Sequence, residues 1–175
     1  MIKNTPIELS PALLSEAREL GRARYDNNRE NGVLKREIAG VDPVQGDVEG
    51  IAGEMAFAQM VNAGDDVWAE IRRIGVTSST SGTDTGDVTV NGFNIDVKTT
   101  KYDGGHLLVY AHKLKNTSVD GYALMTGWGG SYIFRGCISR QAVIEGVEAG
   151  RFTMQSRDTY WVNQAALTDL PVKGD

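Results

Sequence analysis

The stretch 86–101, GDVTVNGFNIDVKTTK, constrains this chain more than any other. Asn91-Gly92 is a two-residue hairpin signal, because the favoured turn needs positive φ at both central positions. Counting outward sets the register: Val90 faces Phe93, Thr89 faces Asn94, Val88 faces Ile95, and Asp87 faces Asp96. Side chains alternate between faces along a strand. Val88, Val90, Phe93, Ile95 and Val97 therefore share an apolar face, and Asp87, Thr89, Asn94, Asp96 and Lys98 a polar one. Two carboxylates oppose each other, with a lysine two residues on. Like charges so placed destabilise a sheet; a divalent cation or a nearby ammonium would offset them.

Around this hairpin the chain reads in order. Ser10-Pro11 starts a helix with a capping hydroxyl and a proline at the first helical position. Its apolar stripe (Leu13, Leu14, Ala17, Leu20) runs to about residue 30 and stops at Asn31-Gly32. The other face carries Arg18, Arg22, Arg24 and Arg29, a solvated face or, beside a nuclease site, phosphate contacts. Residues 32–48 read as a loop, and 49–63 as a second helix, apolar nearly all round and so buried. Val67–Ile74 reads as a strand and 75–86 as a polar loop in which Asp84 serves the turn. Further strands fall at Leu107–Ala111, Gly121–Thr126 and Ser131–Ile138, the last two joined by Gly127-Trp128-Gly129-Gly130. Ser139 caps a helix to about Ala149, and the tail holds an extended piece and a helical turn from Asn163. This order predicts an α/β layered domain with a mixed central sheet of four to six strands flanked by helices. One domain spans 1–175: a helical segment 9–48, a core 49–149 and an extension 150–175.

Composition narrows the function classes. With 175 residues and 41% hydrophobic content the chain has enough apolar material for one real core. A net charge of −5 argues against coating nucleic acid through bulk charge, which needs many Lys and Arg contacts. It leaves room for an enzyme with acids at a metal and local basic residues. The single cysteine, Cys137, excludes an internal disulfide framework and a Cys-rich zinc site. No signal peptide or long apolar span is apparent, so a cytoplasmic protein without membrane contact is expected.

Three polar groups lack an ordinary explanation: the opposed pair Asp87 and Asp96, and Glu54. In the second helix Glu54 has Gly50, Ile51, Phe57 and Ala58 as its neighbours three and four positions away. A buried carboxylate there needs a partner, an arginine or a site, because an unpaired buried charge costs several kcal/mol. Gly50 and Gly53 each cost ~1 kcal/mol of helix propensity and suit close packing on a sheet. Glu49, an acid in the first turn, is ordinary. Carboxylates suit Mg²⁺ or Mn²⁺, hard cations that keep several waters. Such an ion activates a water for attack on phosphorus, and Lys98 would orient that water or stabilise developing negative charge. An ammonium ~4 Å from a carboxylate contributes ~4 kcal/mol at an effective dielectric near 20. The ordinary alternative for Asp-x-Lys is a surface pair worth under ~1 kcal/mol.

These residues resemble the PD-(D/E)xK nuclease superfamily: an acid on a helix (Glu54 in GIAGEMAFA), an acid opening one strand (Asp87 in TGDVTV), and (D/E)-x-K on the next (Asp96 and Lys98 in IDVKTT). More narrowly, the Arg-rich first helix, the GIAGE helix, DVKTT and the closing YWVNQAAL look like small phage-encoded members. Gly86 stands where the pattern often has proline. The resemblance implies a restriction-endonuclease-like core, Mg²⁺-dependent phosphodiester hydrolysis and a DNA substrate, in a protein acting in a host cytoplasm. Glu54, Asp87 and Asp96 would hold Mg²⁺ (or Mn²⁺), with the Val97 carbonyl as an extra ligand. Lys98 would position water. Thr100, Lys101, His112, Lys113, Lys115, Arg22 and Arg29 are candidates for DNA contact. Thr99 is a further phosphate candidate or simply a strand former, and His106 a turn residue. Trp128 and Trp161 could stack on bases, but burial in the core is the expectation. A homodimer stays open. The competing reading is a non-catalytic member of the fold that binds nucleic acid or protein; a structural phage component is a third. Asp96→Asn is expected to abolish cleavage and spare the fold, with any change in metal-free stability a gain from lost repulsion.

Overall fold

The computed structural model describes residues 2–32, 42–76, 87–115, 117–156 and 158–170, with only the backbone of 74–76 and 155–156. Strand β1 (Thr5–Glu8) precedes helices α1 (Pro11–Glu30), α2 (Pro43–Met60) and α3 (Asp65–Val76). Strands β2 (Val88–Val90), β3 (Phe93–Thr100), β4 (Leu107–Tyr110), β5 (Gly121–Trp128) and β6 (Ser131–Ser139) follow. Helix α4 (Arg140–Glu148) and strands β7 (Met154–Ser156) and β8 (Thr159–Val162) complete the order.

The main sheet runs β1-β6-β5-β3-β2, and a three-stranded sheet runs β4-β8-β7. Strands β3 and β5 are parallel, whereas the other neighbours in the main sheet are antiparallel. The protein is thus α/β with a mixed five-stranded sheet and, among the described residues, four helices. Alternation along β3 and β5 splits the core in two. Ile95, Val97, Ala123 and Met125 meet Ile51, Ala52, Met55 and Ala56 of α2 and Ala17 of α1. On the other face Tyr122 and Leu124 meet Leu107, Val109, Val162 and Val143 from the small sheet and α4. The central strand β5 is buried from Gly121 to Thr126, as a strand covered on both faces must be.

The hairpin forms as its turn dictates: Asn91 has φ 51°, Gly92 φ 79°, and the register is Val88↔Ile95, Thr89↔Asn94, Val90↔Phe93. Ser10 caps α1, its hydroxyl accepting from Leu13 N at 3.3 Å. Asp42 caps α2, accepting from Val44 N at 3.0 Å. Helices α1 and α2 cross closely because Gly21 has no side chain; a Cβ there would sit 2.6 Å from Val48 Cα.

Several expectations change. Val67–Ile74 is helical, not a strand: Val67 and Ile71 lie one turn apart and both are buried, and Asp65 and Asp66 favour a helix N-terminus. Alternation in a short run does not separate the two periods. The loop expected over 32–48 is helical from Pro43, and residues 33–41 lie outside the described ones. With α2 begun earlier, Glu49 is no first-turn acid. Strand β1, unread in the sequence, pairs with β6. The tail keeps its extended piece, β8, and its helical turn at Gln164–Ala166 capped by Asn163, while β7 before them is not among the expected strands. Asp84 and the rest of 77–86 lie outside the described residues. No described helix is long and apolar enough to cross a membrane.

Candidate functional site

The site gathers at the β2 edge of the main sheet. Asp87 sits immediately before β2 and leaves the hairpin ladder there. Its N–H donates to Ile95 O at 2.9 Å, and its own Oδ2 accepts from Val97 N at 2.7 Å. The side chain, not the backbone, satisfies Val97. Asp96 is fully buried on β3. Lys98 Nζ donates to Asp96 Oδ1 at 2.5 Å, and Lys113 Nζ stands 3.5 Å from Asp96 Oδ2. Lys113 comes from a short 3-10 turn (Lys113–Lys115) after β4.

Glu54 approaches from α2, which covers the face of β3 bearing Ile95, Val97 and Thr99. Gly53 makes this approach possible: a Cβ there would lie 1.9 Å from Thr99 Oγ1. By alternation Asp96 and Lys98 project to the opposite face. Asp87, at the sheet edge, links the two sides. Arg24 of α1 grips Glu54, NH1 to Oε1 at 3.3 Å and NH2 to Oε2 at 3.4 Å.

The electrostatics follow from this placement. Asp87 is held well above the ordinary carboxyl range, first by burial, then by the charges of Glu54 and Asp96, with Lys98 opposing. Burial alone would raise Asp96 too, but Lys98 and then Lys113 outweigh it and hold Asp96 below its ordinary value. The two carboxyls are thus driven in opposite directions, Asp87 up and Asp96 down. Burial disfavours the charge on Arg24, yet Glu54 reverses this and raises it.

Of the sequence-predicted group, Asp87, Asp96 and Lys98 are brought together, with Val97 tied to Asp87, whereas Glu54 lies on the α2 side of β3 and pairs with Arg24 instead of sharing their face. Among the described residues, no three His, Cys, Asp or Glu side chains converge as a ready ligand set. The donor chemistry still fits a hard cation at the Asp87–Asp96 pair: two buried carboxyls, one of them disfavoured as an anion by burial and by its acidic neighbours, offer the one or two oxygens Mg²⁺ takes. Glu54, engaged by Arg24, stands back from the pair.

The other candidates scatter. Thr100 is half-buried at the end of β3, and Lys101, His112 and Lys115 are exposed. Arg22 and Arg29 are exposed on α1, with Arg22 4.0 Å from Asp26. Trp128 and Trp161 are not core residues but 40% and 43% exposed, the latter stacked on His106 at 5.1 Å. Two residues depart from the sequence reading. Arg24, expected with Arg18, Arg22 and Arg29 on a solvated or phosphate-facing side of α1, falls seven residues after Ala17, on the buried stripe, and pairs with Glu54. Glu49 is buried, accepting from Tyr132 Oη at 2.6 Å, Gln45 Nε2 at 2.7 Å and Gly129 N at 3.1 Å. No local signal marks it, because Tyr132 is remote in sequence.

Fold and site together define an α/β protein with a carboxylate–lysine cluster at a sheet edge. Residues 7–128 match a family described as "Family of unknown function (DUF5843)", and the chain belongs to it. No curated protein and no solved structure matches.

Proposed function

We propose that this protein is a metal-dependent deoxyribonuclease of the PD-(D/E)xK kind, a hydrolase of DNA phosphodiester bonds. The observation that carries the reading is the carboxylate–lysine cluster at the sheet edge, Lys98 against buried Asp96 and Asp87 bound to the neighbouring Val97 N–H. Asp87 and Asp96 would hold Mg²⁺ or Mn²⁺, with Glu54 behind them and the Val97 carbonyl as an additional oxygen. The bound ion supplies polarisation of a phosphoryl oxygen and a more acidic water. Lys98 orients the attacking water and stabilises charge on the phosphoryl oxygens. Water adds to phosphorus as the 3′ oxygen departs. Lys113 joins Lys98 in favouring the charged form of Asp96, and Arg24 holds Glu54 in place. The DNA-facing candidates are Thr100, Lys101, His112, Lys113 and Lys115, with Arg22 and Arg29 on α1. The reading places the protein in a cytoplasm, phage-encoded in its host.

A non-catalytic nucleic-acid-binding protein is the second reading. It is favoured by the internal compensation of the site, with Glu54 on Arg24 and Asp96 on two lysines. Plasmid, single-stranded and branched DNA incubated with Mg²⁺ or Mn²⁺ separate the two. Cleavage that Lys98→Ala abolishes supports the nuclease. Intact substrates with the wild-type protein would sink it and leave the binding reading.

A further inference from the structure

Because β3 and β5 are parallel neighbours, their C-terminal ends lie side by side. Lys101 follows β3, and Trp128 ends β5. Lys101 Nζ stands 5.3 Å from the centre of the Tyr102 ring and 5.8 Å from that of Trp128. Both rings face solvent, Tyr102 at 63% and Trp128 at 40% exposure. Among the described residues Lys101 makes no ion pair. Two exposed rings thus share one ammonium, and among the described residues no carboxylate pairs with it.

We infer that Tyr102, Lys101 and Trp128 form a stacking platform for single-stranded DNA next to the Asp87–Asp96 site. This rests on the nuclease reading and names its substrate class: DNA with an unpaired strand. Aromatic rings stack on any base face, whereas duplex base faces are already occupied. Lys101 lies three residues beyond Lys98 in sequence, just past the C-terminal end of β3. Charge selects this occupant over an apolar protein surface, since the two rings flank the Lys101 ammonium, which can meet a phosphate while a base stacks on a ring.

The test is fluorescence anisotropy of labelled oligothymidine and of blunt duplex, with the full chain in EDTA so that no cleavage occurs. Trp128→Ala and Tyr102→Ala should each weaken oligothymidine binding on the order of 10-fold or more, while Trp128→Phe retains most of it. Lys101→Gln should reduce the salt slope by about 0.7. Duplex binding should not move. Wild-type protein that ignores oligothymidine, or alanine variants that bind it equally well, would overturn the platform. Mg²⁺-dependent cleavage in a separate assay reports on the nuclease reading, so loss of one is distinguishable from loss of the other.

Discussion

Arg24 of α1 holds Glu54 of α2 with both terminal guanidinium nitrogens, and this one pair couples the first helix to the candidate site. The Glu54 side chain is only 6% exposed and that of Arg24 16%, so water solvates neither well. Removing one partner strands a charge. Arg24→Met should cost about 3 kcal/mol in urea unfolding, and the double variant Arg24→Met/Glu54→Leu should recover most of it. Equal losses in the single and double variants would mean that packing, not pairing, supports the helix contact.

Asp87 and Asp96 should respond oppositely to amidation without metal. Asp87 is raised in the folded state, so its contribution is full below the ordinary carboxyl value and is lost as pH rises through the folded one. Asp87→Asn should therefore stabilise the protein at neutral pH and flatten the fall above the acid range. Asp96 is lowered, so its contribution exists above the ordinary value and is lost as pH falls. Asp96→Asn should destabilise at pH 7, leaving Lys98 and Lys113 beside a neutral amide. Urea midpoints from pH 4 to 8 decide this. The sequence-based expectation of a gain for Asp96→Asn is thus transferred to Asp87.

Gly21 is a steric requirement rather than a helix weakness. Alanine there would raise helix propensity by ~1 kcal/mol on an exposed helix, but its Cβ would meet the Val48 backbone at 2.6 Å. Gly21→Ala should therefore lower the thermal midpoint, whereas Gly46→Ala, with open space around it, should not lose stability through contact. A raised midpoint for Gly21→Ala would show that the helices separate freely.

The Tyr132 hydroxyl should matter beyond the packing of its ring. Burial, then donation to Glu49, push that hydroxyl well above the ordinary phenol range. Tyr132→Phe removes one donor from a buried carboxylate and should cost about 1.5–3 kcal/mol in chemical unfolding. A cost within error of zero would mean that Gln45 and Gly129 suffice for Glu49.

The hairpin was legible in the sequence because its determinants are local. Asn91 and Gly92 accept positive φ, and a two-residue turn leaves one register. The capped starts at Ser10 and Ser139 are local in the same sense. Val67–Ile74 misled because a short apolar run satisfies both periods, and burial by packing on α1 and β2 decided for the helix. Strand β1 carried too few residues to announce itself; its pairing with β6 is a long-range event.

Sequence alone determined which groups are chemically out of place: Glu54 on an apolar helix, and Asp87 and Asp96 with Lys98 on a hairpin. That followed from side-chain periodicity and from the cost of burying charge. Tertiary structure alone decided who compensates whom. Arg24 reaches Glu54 across thirty residues, Lys113 reaches Asp96 from a turn beyond β4, and Asp87 turns its carboxylate onto Val97 instead of continuing the ladder. Coulombic pairing acts through space, so a linear pattern exposes the unpaired charge but not its partner.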